Sequence, residues 1–355
     1  MCPADEHLQG NHSEDAPVPA PAAASHQGGS NKASRQHKRG RGGGGAGNGQ
    51  GRSQNSQPAP SSAPPASESF HPLTSEEFVD THTHLHWAVE RIPQYKHLSP
   101  TEAINRLRHE HFPKNFHACV NVLCDVLSFT SLTNEWQSLV DSCDFMYIAA
   151  GLHPHYADQY SETVSHDLQT ISTHPRFIAL GEIGLDYNRN LSPPEVQKSV
   201  FTSQLLLALS LSKPIILHTR DAESDTLQIL TSILPPTTTI HVHCFTGTAG
   251  FVKSMLDYFP NSYFGFTGVI TYESVAELQG VVRDVVPLDK ILLETDSPYM
   301  PPLVVVEGQA KGKKGKFSQC GDIPVVARKI AELKGVDVDV VMRAARENTR
   351  RVYGI

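Results

Sequence analysis

Short apolar runs alternate with amphipathic stretches from Glu76 to the end of the chain. Apolar runs of this length, bounded by turn residues, are typical of buried strands, and the amphipathic stretches between them are typical of helices. The predicted strands cover residues 77–82, 117–122, 145–151, 176–182, 214–218, 239–244, 262–267 and 290–296. Strands that alternate with helices in this way over about 280 residues predict an α/β fold, a (β/α)8 barrel of the TIM type.

The clearest helix signal lies between the fourth and fifth predicted strands. Pro193 and Pro194 stand at its start, where the N–H that proline lacks would have no partner inside the helix. Pro214 disfavours helical geometry in the residue before it and so ends the helix near Ser212. The sequence therefore predicts one helix over residues 193–212.

Residues 1–75 have a different composition from the rest of the chain. Gly, Ser, Pro, Ala, Gln and Asn dominate, and large apolar residues are nearly absent before Phe70. Such a segment buries too little apolar surface to offset the entropy of ordering, so we predict a disordered tail over 1–75 and a barrel domain over 76–355. The tail carries a basic stretch that is typical either of a nuclear-import or RNA-contacting segment or of a solubilising linker: Lys32, Arg35, Lys38, Arg39, Arg41 and Arg52.

Charge and cysteine content limit the class of protein. The formal charge of −7 divides into +1 for residues 1–70 and −8 for the remainder. An acidic body argues against broad electrostatic binding of nucleic acid, although metal ions would reverse the sign of the charge locally. The six cysteines form no CxxC pair, and no secretory signal or membrane-length apolar run is visible. We therefore expect an intracellular protein, nuclear or cytoplasmic, without membrane association; its protein partners are not indicated.

Five of the predicted strands end in a histidine or an acidic residue. The segments are Phe78–His84, Ile178–Glu182, Ile215–His218, Ile240–His243 and Ile291–Asp296. Because the carboxyl ends of parallel strands meet at one face of a barrel, we expect these side chains to form one site. Alternation along the first strand places His82 and His84 on the same side.

The residue types at these strand ends are those that bind divalent cations. Two histidines and an aspartate suffice for one cation and two histidines for a second, with Glu182 between them, since a carboxylate bridges two cations and an imidazole does not. Such a centre hydrolyses bonds at phosphorus or at an acyl carbon through a bridging water, and Mg, Mn and Zn all suit its ligands. Taken singly, each residue has a simpler interpretation, such as a helix N-cap at Asp296.

Seven short blocks over nearly 280 residues carry a family resemblance. They are Asp80–Leu85, Gly151–His155, Gly181–Asp186, His218–Ala222, His243–Gly247, Glu294–Pro298 and Asn348–Tyr353. In content and order the blocks resemble the TatD-type metal-dependent deoxyribonucleases, a branch of the amidohydrolase superfamily, and among them the TatD DNase domain-containing proteins of eukaryotes.

The resemblance implies a divalent-metal-dependent nuclease that cuts DNA, with RNA as a further substrate, often as an exonuclease from the 3′ end. It implies a centre of two metal cations per chain. From the residues themselves we predict Asp296 and Glu182 as catalytic, with Asp296 accepting the proton of the attacking water. One metal would be bound by His82, His84, Glu182 and Asp296, and the other by Glu182, His218 and His243.

Substrate contacts are predicted around this centre. His153 and His155 follow the third strand and are either phosphate contacts or parts of a loop fixed by proline, whereas Asp186 and Tyr187 are candidate rim contacts. Arg220 is placed to grip a phosphate, unless it pairs with Asp221 or Glu223. The loop after the eighth strand departs from the family pattern and offers either a basic lip for a nucleic-acid backbone or a solvated loop: Lys311, Lys313, Lys314 and Lys316.

Two other functions are compatible with the sequence. One is hydrolysis of a small ester, amide or phosphate by an amidohydrolase-type barrel; Glu182 stands where many such enzymes carry a modified lysine, which favours the nuclease. The other is an RNA-binding or scaffold protein that acts through its basic tail. Cleavage assays and deletion of residues 1–75 distinguish the three.

Overall fold

The computed structural model describes residues 74–129, 135–304 and 313–355. Nearly all of the predicted tail, including its basic stretch, lies outside the described residues. The same holds for the middle of the Lys-rich loop, residues 305–312, which includes Lys311.

Eight parallel strands pair in sequence order around a nearly closed barrel, which confirms the predicted fold. Each strand pairs with its successor along the chain. The strands are β1 (Phe78–Thr83), β2 (Phe116–Leu123), β3 (Met146–Ala150), β4 (Phe177–Asp186), β5 (Ile215–Arg220), β6 (Ile240–Val242), β7 (Ser262–Phe266) and β8 (Ile291–Leu293).

Helices follow the strands and pack on the outer face of the barrel, where they form the larger apolar core. A short antiparallel hairpin, β9 (Leu303–Val304) and β10 (Lys313–Lys314), follows the eighth strand. The α-helices are α1 (Leu85–Glu90), α2 (Pro100–His111), α3 (Val126–Phe129), α4 (Glu135–Ser142), α5 (Glu162–Ser172), α6 (Pro194–Leu211), α7 (Glu223–Ile233), α8 (Ala249–Tyr258), α9 (Ala276–Asp284), α10 (Ile323–Lys334) and α11 (Val338–Tyr353).

The sixth helix has the boundaries that its flanking prolines predict to within one residue. It begins at Pro194 and ends at Leu211, and Ser212 adopts left-handed geometry with φ of 52°. In that conformation the Ser212 N–H bonds back to the last turn and terminates the helix.

A second apolar cluster fills the barrel interior. Alternate strand residues such as Val120, Ile216 and Leu292 point inward and meet Val352 and Tyr353 of α11. The C-terminal helix therefore packs against the interior cluster, at the end of the barrel opposite the carboxyl ends of the strands. Within the described residues, no helix has both the length and the apolar character needed to cross a membrane.

The fourth strand is longer than predicted, so Glu182 lies within β4 and not at its end. Gly181 and Gly184 have φ of 150° and 149°, and the pairing of β4 with β5 shifts register between Gly181 and Ile183. A Cβ at Gly181 would overlap the carbonyl oxygen of Ile216, and one at Gly184 would overlap that of His218. The two glycines thus allow an irregular strand to stay paired while it turns Glu182 into the site.

Candidate metal centre

All six predicted metal ligands come together at the carboxyl end of the barrel. Backbone hydrogen bonds join the first and last strands there, from Asp296 N to His82 O (2.9 Å) and from His84 N to Ser297 O (2.8 Å). Glu182 and His82 are buried, and the Asp296 side chain keeps 12% of its surface exposed. The site is therefore assembled from distant parts of the sequence by barrel closure.

The ligating atoms of one half lie within a few ångströms of each other. His82 Nε2 is 3.3 Å from His84 Nε2, and His84 Nε2 is 3.3 Å from Asp296 Oδ1. His82 Nε2 is also 3.5 Å from Glu182 Oε2. In the other half, Glu182 Oε1 is 2.6 Å from His218 Nδ1 and 3.6 Å from His243 Nε2. The two oxygens of Glu182 thus face different histidines.

Polar contacts on the outer side of three of the rings indicate which nitrogen can bind a cation. His84 Nδ1 lies 2.8 Å from the Val122 carbonyl oxygen, which only accepts, so Nδ1 carries the proton and Nε2 offers a lone pair. His243 Nδ1 lies 3.1 Å from Glu294, and His218 Nε2 lies 3.1 Å from Asp186. Carboxylates behind ligating imidazoles orient the ring and raise its basicity.

This donor set fits divalent cations. Three overlapping groups have ligand atoms within 4.8 Å of one another: His82, His84 and Glu182; His82, His243 and Asp296; and His153, Glu182 and His218. Two imidazole nitrogens that face each other at 3.3 Å share at most one proton, whereas a cation between them would satisfy both.

The charges in the site are strongly coupled. Burial raises the pKa of Glu182, but His243, His153 and His218 outweigh it and hold that pKa well below its usual value. Burial lowers the pKa of His243, yet Glu294, Glu182 and Asp296 raise it to about 10. Glu182 is therefore a carboxylate that a positive charge must neutralise.

His153 lies deeper in the site than the sequence indicates. Its Nε2 is 3.4 Å from Glu182 Oε1, close enough to count among possible metal ligands. However, His153 Nδ1 accepts a hydrogen bond from the His155 N–H (3.0 Å), so the neutral ring carries its proton on Nε2. That proton can be donated to Glu182 or to a bound substrate. A protonated Nε2 has no lone pair for a cation, so this arrangement agrees better with a substrate contact than with metal ligation.

Three functional candidates were missed or misplaced by the sequence analysis. Asp186 was read as a rim contact but is buried, with His155 Nε2 at 3.0 Å and His218 Nε2 at 3.1 Å. Glu294 is fully buried, 2.9 Å from His241 Nε2 and 3.1 Å from His243 Nδ1. Tyr353 reaches His241 from below. An acid directly after the apolar run of β8 was the available signal for Glu294.

The remaining predicted contacts lie at the rim. Arg220 is exposed at the end of β5, and its guanidinium has no hydrogen-bond or ion-pair partner among the residues that the structure describes. Asp221 instead binds Asn188, and Glu223 binds Thr248. Neither predicted acidic partner therefore occupies Arg220.

Of the two lysines in the hairpin, Lys314 has a side chain that the structure describes, and the side chain of Lys313 lies outside the described part. Lys314 is exposed and places its Nζ 3.6 Å from the centre of the Tyr272 ring. Lys313 belongs to β10, where it pairs with Val304. Tyr187, the other proposed rim contact, donates a hydrogen bond to Asp225 (2.8 Å).

Comparison with protein families gives one match over most of the chain. Residues 79–354 match the family model described as TatD related DNase. The chain is 36% identical over 299 residues to the 3′-5′ RNA nuclease TATDN2 of Homo sapiens, which covers 83% of this chain and 37% of that protein. The chain therefore corresponds to little more than a third of that relative's length.

Bacterial relatives and solved structures have the same domain. The 3′-5′ ssDNA/RNA exonuclease TatD of Erwinia tasmaniensis is 33% identical over 212 residues, or 60% of this chain and 80% of that protein. The crystal structure of a TatD homologue from Escherichia coli, YJJV, superposes with a TM-score of 0.61 at 24% identity and covers 79% of this chain and all of that one. A TatD family hydrolase from Entamoeba histolytica gives a TM-score of 0.63 at 20% identity, covering 78% and 98%. These structures support the fold.

Proposed function

Since this chain belongs to the TatD-related DNase family, we propose that it is a divalent-metal-dependent nuclease that acts as a 3′-5′ exonuclease on single-stranded DNA or RNA. The observation that carries the proposal is the convergence of four histidines and two carboxylates at the barrel mouth, with three of the histidines backed by an outward acceptor. Such an arrangement presents lone pairs to cations, and among the two carboxylates the Asp296 side chain is the one that solvent reaches more.

We propose that the cofactor is a pair of divalent cations, with Mg, Mn and Zn as candidates. Glu182 is suited to lie between them because its two oxygens face different histidines. When bound, the cations would neutralise the phosphate oxygens and acidify a water molecule for attack. His82, His84 and Asp296 would hold one cation, and His218 and His243 the other, with Glu182 shared.

The chain's own residues supply the remaining steps. Asp296 is the most exposed carboxylate of the cluster and is proposed to accept the proton of the attacking water. His153 and His155 lie beside Glu182 and Asp186, where they are proposed to contact the substrate phosphate. Arg220, Lys313 and Lys314 are proposed to contact the backbone further out.

The test uses the full chain, stripped of metal, with 3′- and 5′-labelled single-stranded DNA and RNA. Mg, Mn or Zn is then added back to the native protein, to His218→Ala and to the control His166→Ala, which alters an exposed histidine on α5. Metal-dependent shortening from the 3′ end, lost in His218→Ala and retained in the control, is the expected result.

Other results would support the other candidate functions. Cleavage of small esters or amides but of no nucleic acid would favour the amidohydrolase-type alternative. Loss of all nucleic-acid affinity on deletion of residues 1–75, without any cleavage by the barrel, would favour a binding protein that acts through its tail.

A further inference from the structure

Two aromatic side chains flank the candidate metal centre without offering it a ligand atom. The Trp87 ring in α1 stacks on the His84 ring with centroids 4.5 Å apart and an interplanar angle of 29°. Tyr299 follows Asp296 by three residues, and its N–H donates to the Asp296 carbonyl oxygen (2.8 Å). Both rings are therefore held in fixed positions by the backbone or ring of a candidate ligand.

The two rings form a corner. Their centroids are 6.3 Å apart and their planes meet at 76°. The Arg91 guanidinium carbon lies 4.9 Å from the centre of the Tyr299 ring. Tyr299 leaves 37% of its surface exposed, Arg91 is exposed and Trp87 is half-buried. A planar group can lie flat on one ring of such a corner with its edge against the other.

Packing accounts for only part of this arrangement. The inner part of Trp87 packs against the cluster that fills the barrel interior. Tyr299 keeps more than a third of its surface exposed to solvent, and the exposed guanidinium of Arg91 lies over its ring. An exposed aromatic ring, a second ring steeply inclined to it and an arginine are together the elements with which proteins bind unpaired bases.

We propose that Trp87, Tyr299 and Arg91 form a base-stacking subsite for the nucleotide next to the attacked phosphate. The inference rests on the proposed nuclease function, because it needs a phosphodiester at the neighbouring metal centre. The base lies in the corner, and Arg91 lies near the backbone that leads to it. A base paired within a duplex is covered on both faces by its neighbours and cannot enter the corner, so the subsite selects unpaired ends.

The kinetic test compares oligonucleotides that carry an abasic residue at one of the last three 3′ positions with the intact oligonucleotide. For the native chain, kcat/KM should fall by about 5- to 100-fold when the missing base is the one that stacks. Tyr299→Leu should lose a similar factor on the intact oligonucleotide and discriminate little against the abasic one.

Two further variants control this comparison. Tyr299→Phe keeps the ring and should preserve discrimination between intact and abasic substrates. Tyr258→Leu replaces an exposed tyrosine on α8 and should behave as the native chain. Full discrimination by a folded Tyr299→Leu would overturn the subsite alone, whereas absence of cleavage by the native chain with every metal would overturn the nuclease function and the subsite together.

A spectroscopic measurement reports on Trp87 independently of cleavage. The chain has two tryptophans, so Trp136→Phe leaves Trp87 as the single indole emitter. Trp136 lies in α4 and packs against His174. Saturation with intact oligonucleotide, under conditions where binding is detected by anisotropy, should quench Trp87 emission more strongly than saturation with the abasic one. Equal emission with both would remove Trp87 from the subsite.

Discussion

The Tyr353 hydroxyl lies 2.6 Å from Nδ1 of His241, and this contact joins the C-terminal helix to the interior of the barrel. Burial raises the pKa of Tyr353 far above its usual value, so the phenol keeps its proton and donates it. His241 Nε2 then faces Glu294, and Glu294 in turn faces His243 Nδ1. A buried polar chain therefore runs from the barrel bottom to a candidate metal ligand.

Replacement of Glu294 by Gln should weaken cation binding. The amide cannot orient and polarise His243 as the carboxylate does, so cation affinity should fall by about 10- to 100-fold. Titration calorimetry of the metal-free chain measures this directly. Tyr353→Phe, which acts through one more residue, should have a smaller effect in the same direction, and Glu277→Gln on α9 should have none. Unchanged affinity in Glu294→Gln would disprove the coupling.

Replacement of Asp296 by Asn should reduce kcat more than it raises KM. The variant removes the proposed proton acceptor, whose contribution is about 10²- to 10⁴-fold in rate, while the amide oxygen remains close to His84. Steady-state kinetics and the circular dichroism spectrum are the measurements. A folded Asp296→Asn that cleaves at the native rate would show that another group accepts the proton.

Replacement of Glu182 by Ala should remove metal from the protein. If Glu182 lies between two cations, its loss weakens both sites, and bound metal measured by elemental analysis should fall from about two per chain to less than one. His166→Ala, on the outer surface, provides the matched control. Native metal content in Glu182→Ala would be incompatible with a bridging carboxylate.

Replacement of Arg220 by Ala should weaken substrate binding. Because the Arg220 guanidinium has no acidic partner among the described residues, it is available for a charge-assisted contact to phosphate, and the variant loses that contact. KM should therefore rise by roughly 10-fold while kcat changes less. The slope of the logarithm of the binding constant against the logarithm of the salt concentration should also become smaller by about one unit. Arg283→Ala is the control, because Arg283 is exposed on α9 and paired with Asp284. Equal effects of the two variants would exclude a specific role for Arg220.

Asp322 should make the unfolding free energy depend on pH. Burial raises its pKa from 3.8 to about 6, against opposing hydrogen bonds from Gln319 and Ser318. Because the folded pKa is the higher one, the stabilising contribution is complete below pH 3.8 and is lost as the pH rises through 6. Compared with Asp322→Asn, the native chain should lose about 2–3 kcal/mol between pH 4 and 7. Urea unfolding measures this difference. If the difference in unfolding free energy between the two proteins were the same at every pH, the assignment would be wrong.

Most of the fold followed from the sequence because each strand is a local apolar run. The helix from Pro194 to Leu211 was equally local, as its ends are set by prolines and by Ser212. The end of β4 was not predictable in this way. An apolar pattern does not show that Gly181 and Gly184 allow the strand to continue past Glu182.

The candidate site was predictable where ligand residue types stand at strand ends. His153 was assigned to the mouth, although tertiary packing brings it to Glu182. The contact between Tyr353 and His241 spans 112 residues and leaves no local signal. Likewise, nothing near Trp87 in the sequence indicates that Tyr299 meets it across the barrel closure.

Gly181 and Gly184 also limit how this molecule can diversify. Rim positions such as Arg220 or Tyr299 can exchange one side chain for another, with a change in preference or rate. A methyl group at either glycine would meet the backbone of β5, which cannot rotate out of the way as a side chain can. Such a change would separate the strands that carry Glu182 and His218. Substrate preference can therefore change through substitutions at the rim, whereas the two positions at which β4 packs against the backbone of β5 accept no residue other than glycine.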